Sequence, residues 1–195
     1  MTMTPGLRKF VLIVHLTASV GWLGAVAAYL ALDVTVATSQ DAQTLRAAYL
    51  AMELIASWAI VPLSLASLLT GLVISLGTKW GLFRHYWVLI SLVLTIVATL
   101  VLLSETQTIS RMADIAADPT TSSDALRALP NTLVHSVGGT LVLLVIQVLN
   151  VYKPRGLTPY GWRKQQEERT ARQAEDVLSN QGQATEVGVQ QEQYE

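Results

Sequence analysis

Three histidines, His15, His85 and His135, are the residues of this chain best suited to hold a cofactor. Imidazoles on facing helices can ligate a haem iron from both sides, with the two ligating nitrogens about 4 Å apart. His15 and His85 are the candidate haem b ligands on this logic. Their depths are not obviously matched: His15 lies roughly 10 Å along a helix from Arg8, whereas His85 directly follows Arg84. A second set could hold a metal ion. Met52, Glu53, Glu105, Met112 and His135 all fall near the outer ends of apolar stretches. Thioether with imidazole suits copper, and carboxylate with imidazole suits zinc. The set has no ligand-spacing motif, and interfacial hydrogen bonds or ion pairs explain Glu53, Glu105 and His135 equally well.

Other chemistries are poorly served. The chain has no cysteine, which excludes disulfides, thiol catalysis, iron–sulfur clusters and Cys-type zinc sites. It has no HExxH, GxGxxG, Walker-type or Ser/His/Asp pattern, so no catalytic residue is assigned. No carboxylate lies in the middle of an apolar stretch, which weakens a proton-pump reading.

The elements that must position these residues are four long apolar stretches. Phe10 to Leu32, Leu54 to Leu76, Tyr86 to Leu103 and Leu133 to Val151 each run about 18–23 residues, enough to cross ~30 Å of hydrocarbon. The first, third and fourth hold no charged side chain, and the second begins just after Glu53. In hydrocarbon every backbone N–H and C=O must be paired within its own segment, so the stretches read as helices. The expected fold is an all-α, antiparallel bundle of four transmembrane helices. Residues 1–9 form a short start, 10–156 the membrane domain and 157–195 a polar, partly disordered tail. Within the tail, Trp162 to Asn180 can form a solvated helix, and Gln181 to Glu195 has a disorder-prone composition.

Charges sort between the gaps. Arg8 and Lys9 precede the first span, Lys79 and Arg84 separate the second and third, and Lys153, Arg155, Arg163 and Lys164 follow the fourth. The other two gaps carry Asp33, Asp41, Asp114, Asp118 and Asp124 against Arg46, Arg111 and Arg127. The positive-inside rule then places both termini in the cytoplasm and both longer loops outside. The basic clusters suit anionic lipid, and nothing in them points to nucleic acid.

Span one carries a polar stripe. His15, Ser19, Trp22, Val26, Tyr29 and Asp33 fall within about 40° of one line at 3.6 residues per turn. Polar groups on a spanning helix face the bundle interior, so this stripe is expected to be buried. Small residues at Ala18, Gly21, Ala25 and Ala28 in span one, Ser67, Gly71 and Ser75 in span two, and Ser136, Gly138, Gly139 and Thr140 in span four allow close helix approach. Pro62 is expected to kink span two. Trp80, Phe83, Tyr86, Trp87 and Tyr152 read as one aromatic belt, with Tyr49 and Trp58 toward the other boundary. Asp118 to Ser123 is the clearest turn cluster, and Ser123 or Asp124 is placed to cap a short helix after it.

Two strings, VHLTASVGWLGAVAAYLAL (Val14 to Leu32) and LTGLVISLGTKWGLFRHYWVLISLVLT (Leu69 to Thr95), resemble small uncharacterised bacterial four-helix membrane proteins. VHSVGGTLVLLVIQVLNVYKPRG (Val134 to Gly156) fits the last span of that group. The group is distantly similar to the CopD-like copper-resistance membrane proteins. The resemblance covers residues 8 to 156 and implies a four-helix bundle in a bacterial plasma membrane, with His15, His85 and His135 as characteristic positions. It also implies a lysine where this chain has Ser91.

The leading functional expectation is a non-enzymatic accessory or structural component of the membrane. A homo-oligomer or a membrane complex would suit such a component as partner. The alternatives are a haem b- or copper-binding redox or metal-handling protein, and a small-solute permeation path along the stripe.

Overall fold

A computed structural model describes the backbone over residues 3–77 and 81–192, and side chains as far as Ser179. Described residues build helices α1 (Pro5–Thr38), α2 (Ala42–Ile55), α3 (Val61–Gly77), α4 (Tyr86–Ala117), α5 (Ser123–Arg127), α6 (Leu133–Tyr152) and α7 (Pro159–Glu192). A π-helical turn, Ala56–Ile60, joins α2 to α3. Four helical segments are long and apolar enough to cross a membrane: Pro5–Thr38, Ala42–Gly77, Tyr86–Ala117 and Leu133–Tyr152. Large apolar side chains such as Phe10, Leu69, Leu100 and Val148 point outward rather than into the core, as a lipid-facing surface requires. The chain is a multi-pass membrane protein.

The helix limits follow from local chemistry. Pro5 opens α1, where its missing N–H costs nothing. Asp41 caps α2, its Oδ2 accepting from the Thr44 N–H at 2.8 Å and from the Thr44 hydroxyl at 2.7 Å. Ser122, one residue before the expected cap, starts α5 by accepting from the Ala125 N–H. The short helix stops at Arg127, and Pro130 lies in the link to α6 rather than inside a helix. Lys153, with φ of 46°, ends α6 in the left-handed conformation just before Pro154.

Pro62 acts one turn earlier than a simple kink. Lacking an N–H, it leaves the Trp58 carbonyl without its usual intrahelical donor. The turn before it widens, and the Val61 N–H reaches the Ala56 carbonyl five residues back.

Contacts tie the helix ends into two groups. At the basic end, the Met3 N–H meets the Gly77 carbonyl at 3.5 Å, the Tyr86 N–H meets Gly156 at 3.3 Å, and the Thr158 N–H meets Arg84 at 3.0 Å. At the acidic end, Arg46 of α2 donates to the carbonyls of Ala116, Asp118, Pro119 and Thr121. Arg127 donates there to the Gln40 carbonyl at 2.7 Å. The core between them joins Trp22, Val26 and Tyr29 to Leu45, Met52, Ile60, Met112, Leu126 and Leu143. Tyr49, expected in an aromatic belt, is instead buried in this core, because α5 folds over it and Leu126 offers its hydroxyl a carbonyl at 3.4 Å. Trp58 is 78% exposed, and Trp80 lies outside the described residues with Thr78 and Lys79. The tail backbone is helical to Glu192, beyond the Asn180 limit read from sequence. Gln, Ala and Glu in that extension carry good helix propensity, against which Gly182 and Gly188 work.

The exposed caps predict an acid response. The Thr44 hydroxyl and N–H hold Asp41 below its ordinary carboxylate value of 3.8, and Thr120 does the same for Asp118. A depressed folded value means that the stabilisation is complete above the unfolded value and fades as pH falls through the folded one. The thermal midpoint in detergent, followed by circular dichroism, should be flat above about pH 5 and decline below about pH 4. Asp41→Asn should make that decline shallower, and an unchanged decline would show that this cap contributes nothing to it.

Candidate functional site

The stripe on α1 forms the inner wall of the helix assembly. Trp22, Val26, Tyr29 and Asp33 are buried, and His15 and Ser19 are half-buried. The 3.6-residue period puts them in line, and small residues on α3 let that helix close against them. His15 Nδ1 lies 3.1 Å from the Ser67 carbonyl and 3.1 Å from the Thr70 hydroxyl. A carbonyl can only accept, so Nδ1 carries the proton and Nε2 keeps the lone pair. Ser19 donates to the His15 carbonyl and its oxygen meets Ser67 Oγ at 2.8 Å. A Cβ on Gly71 would stand 3.0 Å from His15 Cε1, so any larger residue there requires the ring to give by a few tenths of an ångström.

At the acidic end of the stripe, Thr132 donates to Asp33 Oδ1 at 2.5 Å, and Tyr29 Oη lies 3.4 Å from Thr132 Oγ1. Asp33 Oδ2 is buried with no hydrogen-bond partner among the protein groups. Ser91, at the position where a lysine was expected, is also buried with its Oγ unpartnered.

Two cavities flank the stripe. The larger, of about 290 Å³, lies among α1, the π turn, α4 and α6. Its polar lining is confined to Tyr29, Glu105, Thr132, His135 and Ser136, and apolar groups such as Val26, Ala98 and Val142 make its body. The smaller, of about 30 Å³, is polar and lies toward the basic end. His15, Ser19, Ser67, Thr95, Gln147 and Asn150 line it, and it is large enough for one or two waters. Trp22 and Leu143 line both cavities and stand between them.

The candidate ligand sets fare differently. His15 packs at the level of Ser67, roughly 15 Å along α3 from Gly77 by helical rise. His85 sits just before α4, bridged to Leu157 at the basic end. The haem pair is therefore not brought face to face in this arrangement. His135 Nε2 and Glu105 Oε1 do meet, at 3.7 Å. Met52 and Met112 share the buried apolar cluster, and Glu53 accepts from Ser57 at 3.2 Å within its own helix. Among the described residues no three His, Asp or Glu side chains are grouped to hold a metal ion.

Sequence reading missed several partners. Thr132 precedes the fourth apolar stretch and carried no signal. Gln147 and Asn150, the two side-chain amides in that stretch, could have been singled out as interior-facing. Thr70 was hidden by its ordinary helix-compatible hydroxyl. No family model, curated protein or solved structure matches the chain.

Proposed function

We propose that this chain is a non-enzymatic accessory component of a bacterial plasma membrane, with its polar stripe serving to lock the helices together. In this reading the spans run antiparallel and both termini are cytoplasmic. The end groups that join Met3 to Gly77 and Tyr86 to Gly156 support the alternation, and the cationic residues at that same end support the orientation. The likeness to small bacterial four-helix proteins, and distantly to CopD-like proteins, belongs to the same reading. A homo-oligomer or a larger membrane complex is its natural setting.

One observation carries the proposal: the polar groups of the stripe are paired across to α3, His15 Nδ1 with the Ser67 carbonyl and the Thr70 hydroxyl and Ser19 with Ser67 Oγ, as a helix-locking role requires. A buried polar group in hydrocarbon is costly unless paired, and α3 supplies that pairing. The protein purified in mild detergent should show no Soret band. His15→Ala should lower its thermal midpoint, and Gly71→Leu should lower it further by driving α3 off the ring, a cost of about 1–3 kcal/mol. A split Soret band in the wild type that disappears in His15→Ala would overturn the proposal in favour of haem b. Stoichiometric copper lost in His135→Ala would overturn it in favour of the metal-handling alternative.

A further inference from the structure

We infer that the larger cavity is a binding site for a lipophilic ammonium: a protonated amine on an apolar body. The inference goes beyond the accessory role and concerns a different part of the molecule.

The shape comes first. The cavity volume of about 290 Å³ is at the lower bound of small-ligand sites. Its length, measured from His135 to Leu143 along α6, is roughly 12 Å. Gly138 and Gly139 line it, and a Cβ on either would meet nothing within 4 Å. The space is therefore made by missing side chains on α6, and the neighbouring helices have not closed over it. Trp22 and Leu143 shut it from the polar cavity beyond, so it is a pocket with an end and not an open path.

The chemistry at its polar end selects the ligand. Glu105 lines the cavity, with His135 Nε2 3.7 Å from its Oε1. Directly behind the wall, Asp33 is 3% exposed, bonded to Thr132 through one oxygen and unpartnered at the other. Thr132 has used its only proton on Asp33, and Tyr29 can spend its own on Thr132. The cavity end thus offers the Glu105 carboxyl group and the hydroxyl oxygens of Tyr29, Thr132 and Ser136 as acceptors, with Asp33 behind them, against one imidazole as donor. A head group rich in N–H donors and carrying positive charge completes this arrangement, while a carboxylate or phosphate is repelled by it. The rings of Trp22 and Tyr29 in the same wall favour a cation further. The apolar remainder of the lining suits an alkyl body of the pocket's length.

The test uses the full chain in phosphatidylcholine nanodiscs and two bromine-labelled probes of one chain length, bromodecylammonium and bromodecanoate. Bromine quenches tryptophan at contact, and Trp22 lies in the wall. The ammonium should quench saturably, with half-maximal effect at a concentration at least tenfold below that of the carboxylate. Glu105→Gln should erase that preference, Trp22→Phe should remove the saturable part, and Gly139→Leu should fill the pocket and abolish it. Equal quenching by the two probes in the wild type would overturn the inference, as would a preference that survives Glu105→Gln. If Gly139→Leu does not fold, the Glu105→Gln comparison decides alone. Phosphatidylethanolamine added to the nanodiscs separates the two sources of the chemistry. Displacement of the probe assigns the site to an aminolipid head group, and retention assigns it to a free amine.

Discussion

Arg46→Ala is expected to destabilise the folded chain by about 3 kcal/mol, because one guanidinium organises the whole acidic end. The last four carbonyls of any helix lack intrahelical donors. At the end of α4, the Thr121 hydroxyl takes Ile115 at 2.9 Å, and Arg46 Nη1 takes Ala116 at 2.8 Å and Asp118 at 2.5 Å. Nη2 continues to Pro119 at 3.4 Å and Thr121 at 2.5 Å. The fork therefore caps α4 and holds the turn that leads to α5. It also places positive charge at the negative end of the α4 dipole, which adds to the same effect. Removing it strands carbonyls that are partly shielded from water. Arg46→Lys should recover less than half of the loss, since a compact ammonium cannot span four carbonyls set in a curved turn. Two measurements check this. Thermal or denaturant unfolding in detergent reports the global cost. Amide exchange over residues 115–121 should rise in the alanine variant more than exchange in α1, and uniform change across both would remove the capping explanation.

The same residue shows what could be read from the sequence and what could not. Arg46 appeared there only as a charge in a loop, because the carbonyls that it binds lie about seventy residues away and carry no sequence signal. The spans were legible, since length and apolarity are local properties. The stripe was legible too: a helical period fixes which side chains share a face, and the hydrocarbon requirement says which way that face must point. Tyr49 was misread for the opposite reason. An aromatic near a span end suits the interface, and only the short α5 folding across it turns that position into core. The metal candidates divided along the same line. Depth put Met52, Glu53, Glu105, Met112 and His135 at one level, but azimuth decides contact. Azimuth put the thioethers into the core and Glu105 with His135 beside the cavity. The π turn before Pro62 was half-visible, because a missing N–H announces disruption without saying whether the helix will bend or widen.

Gly161→Ala is the second large effect, and it should release the tail from the membrane domain while leaving the spans folded. Thr158 caps α7: its Oγ1 accepts from the Gly161 N–H at 3.0 Å and donates in turn to the Phe83 carbonyl. Its carbonyl accepts from Trp162, and its N–H binds Arg84 O at 3.0 Å. The first turn of α7 thereby lies directly on the segment that leads into α4. A Cβ at position 161 would come within 2.2 Å of the Arg84 carbonyl oxygen, a backbone atom that cannot swing aside as a side-chain tip can. Docking and any larger residue are incompatible here unless α7 lifts away. The clamp farther along, Arg84 to Glu168 with both bonds at 3.1 Å, is too exposed to hold α7 down alone. Limited proteolysis with trypsin should therefore cut Gly161→Ala after Arg155 at least tenfold faster than wild type, with thermal unfolding of the spans little changed. Glu168→Gln should move cleavage only slightly, as an exposed ion pair contributes little. A Gly161→Ala protein cut no faster than wild type would mean that the tail holds to the membrane domain without this contact.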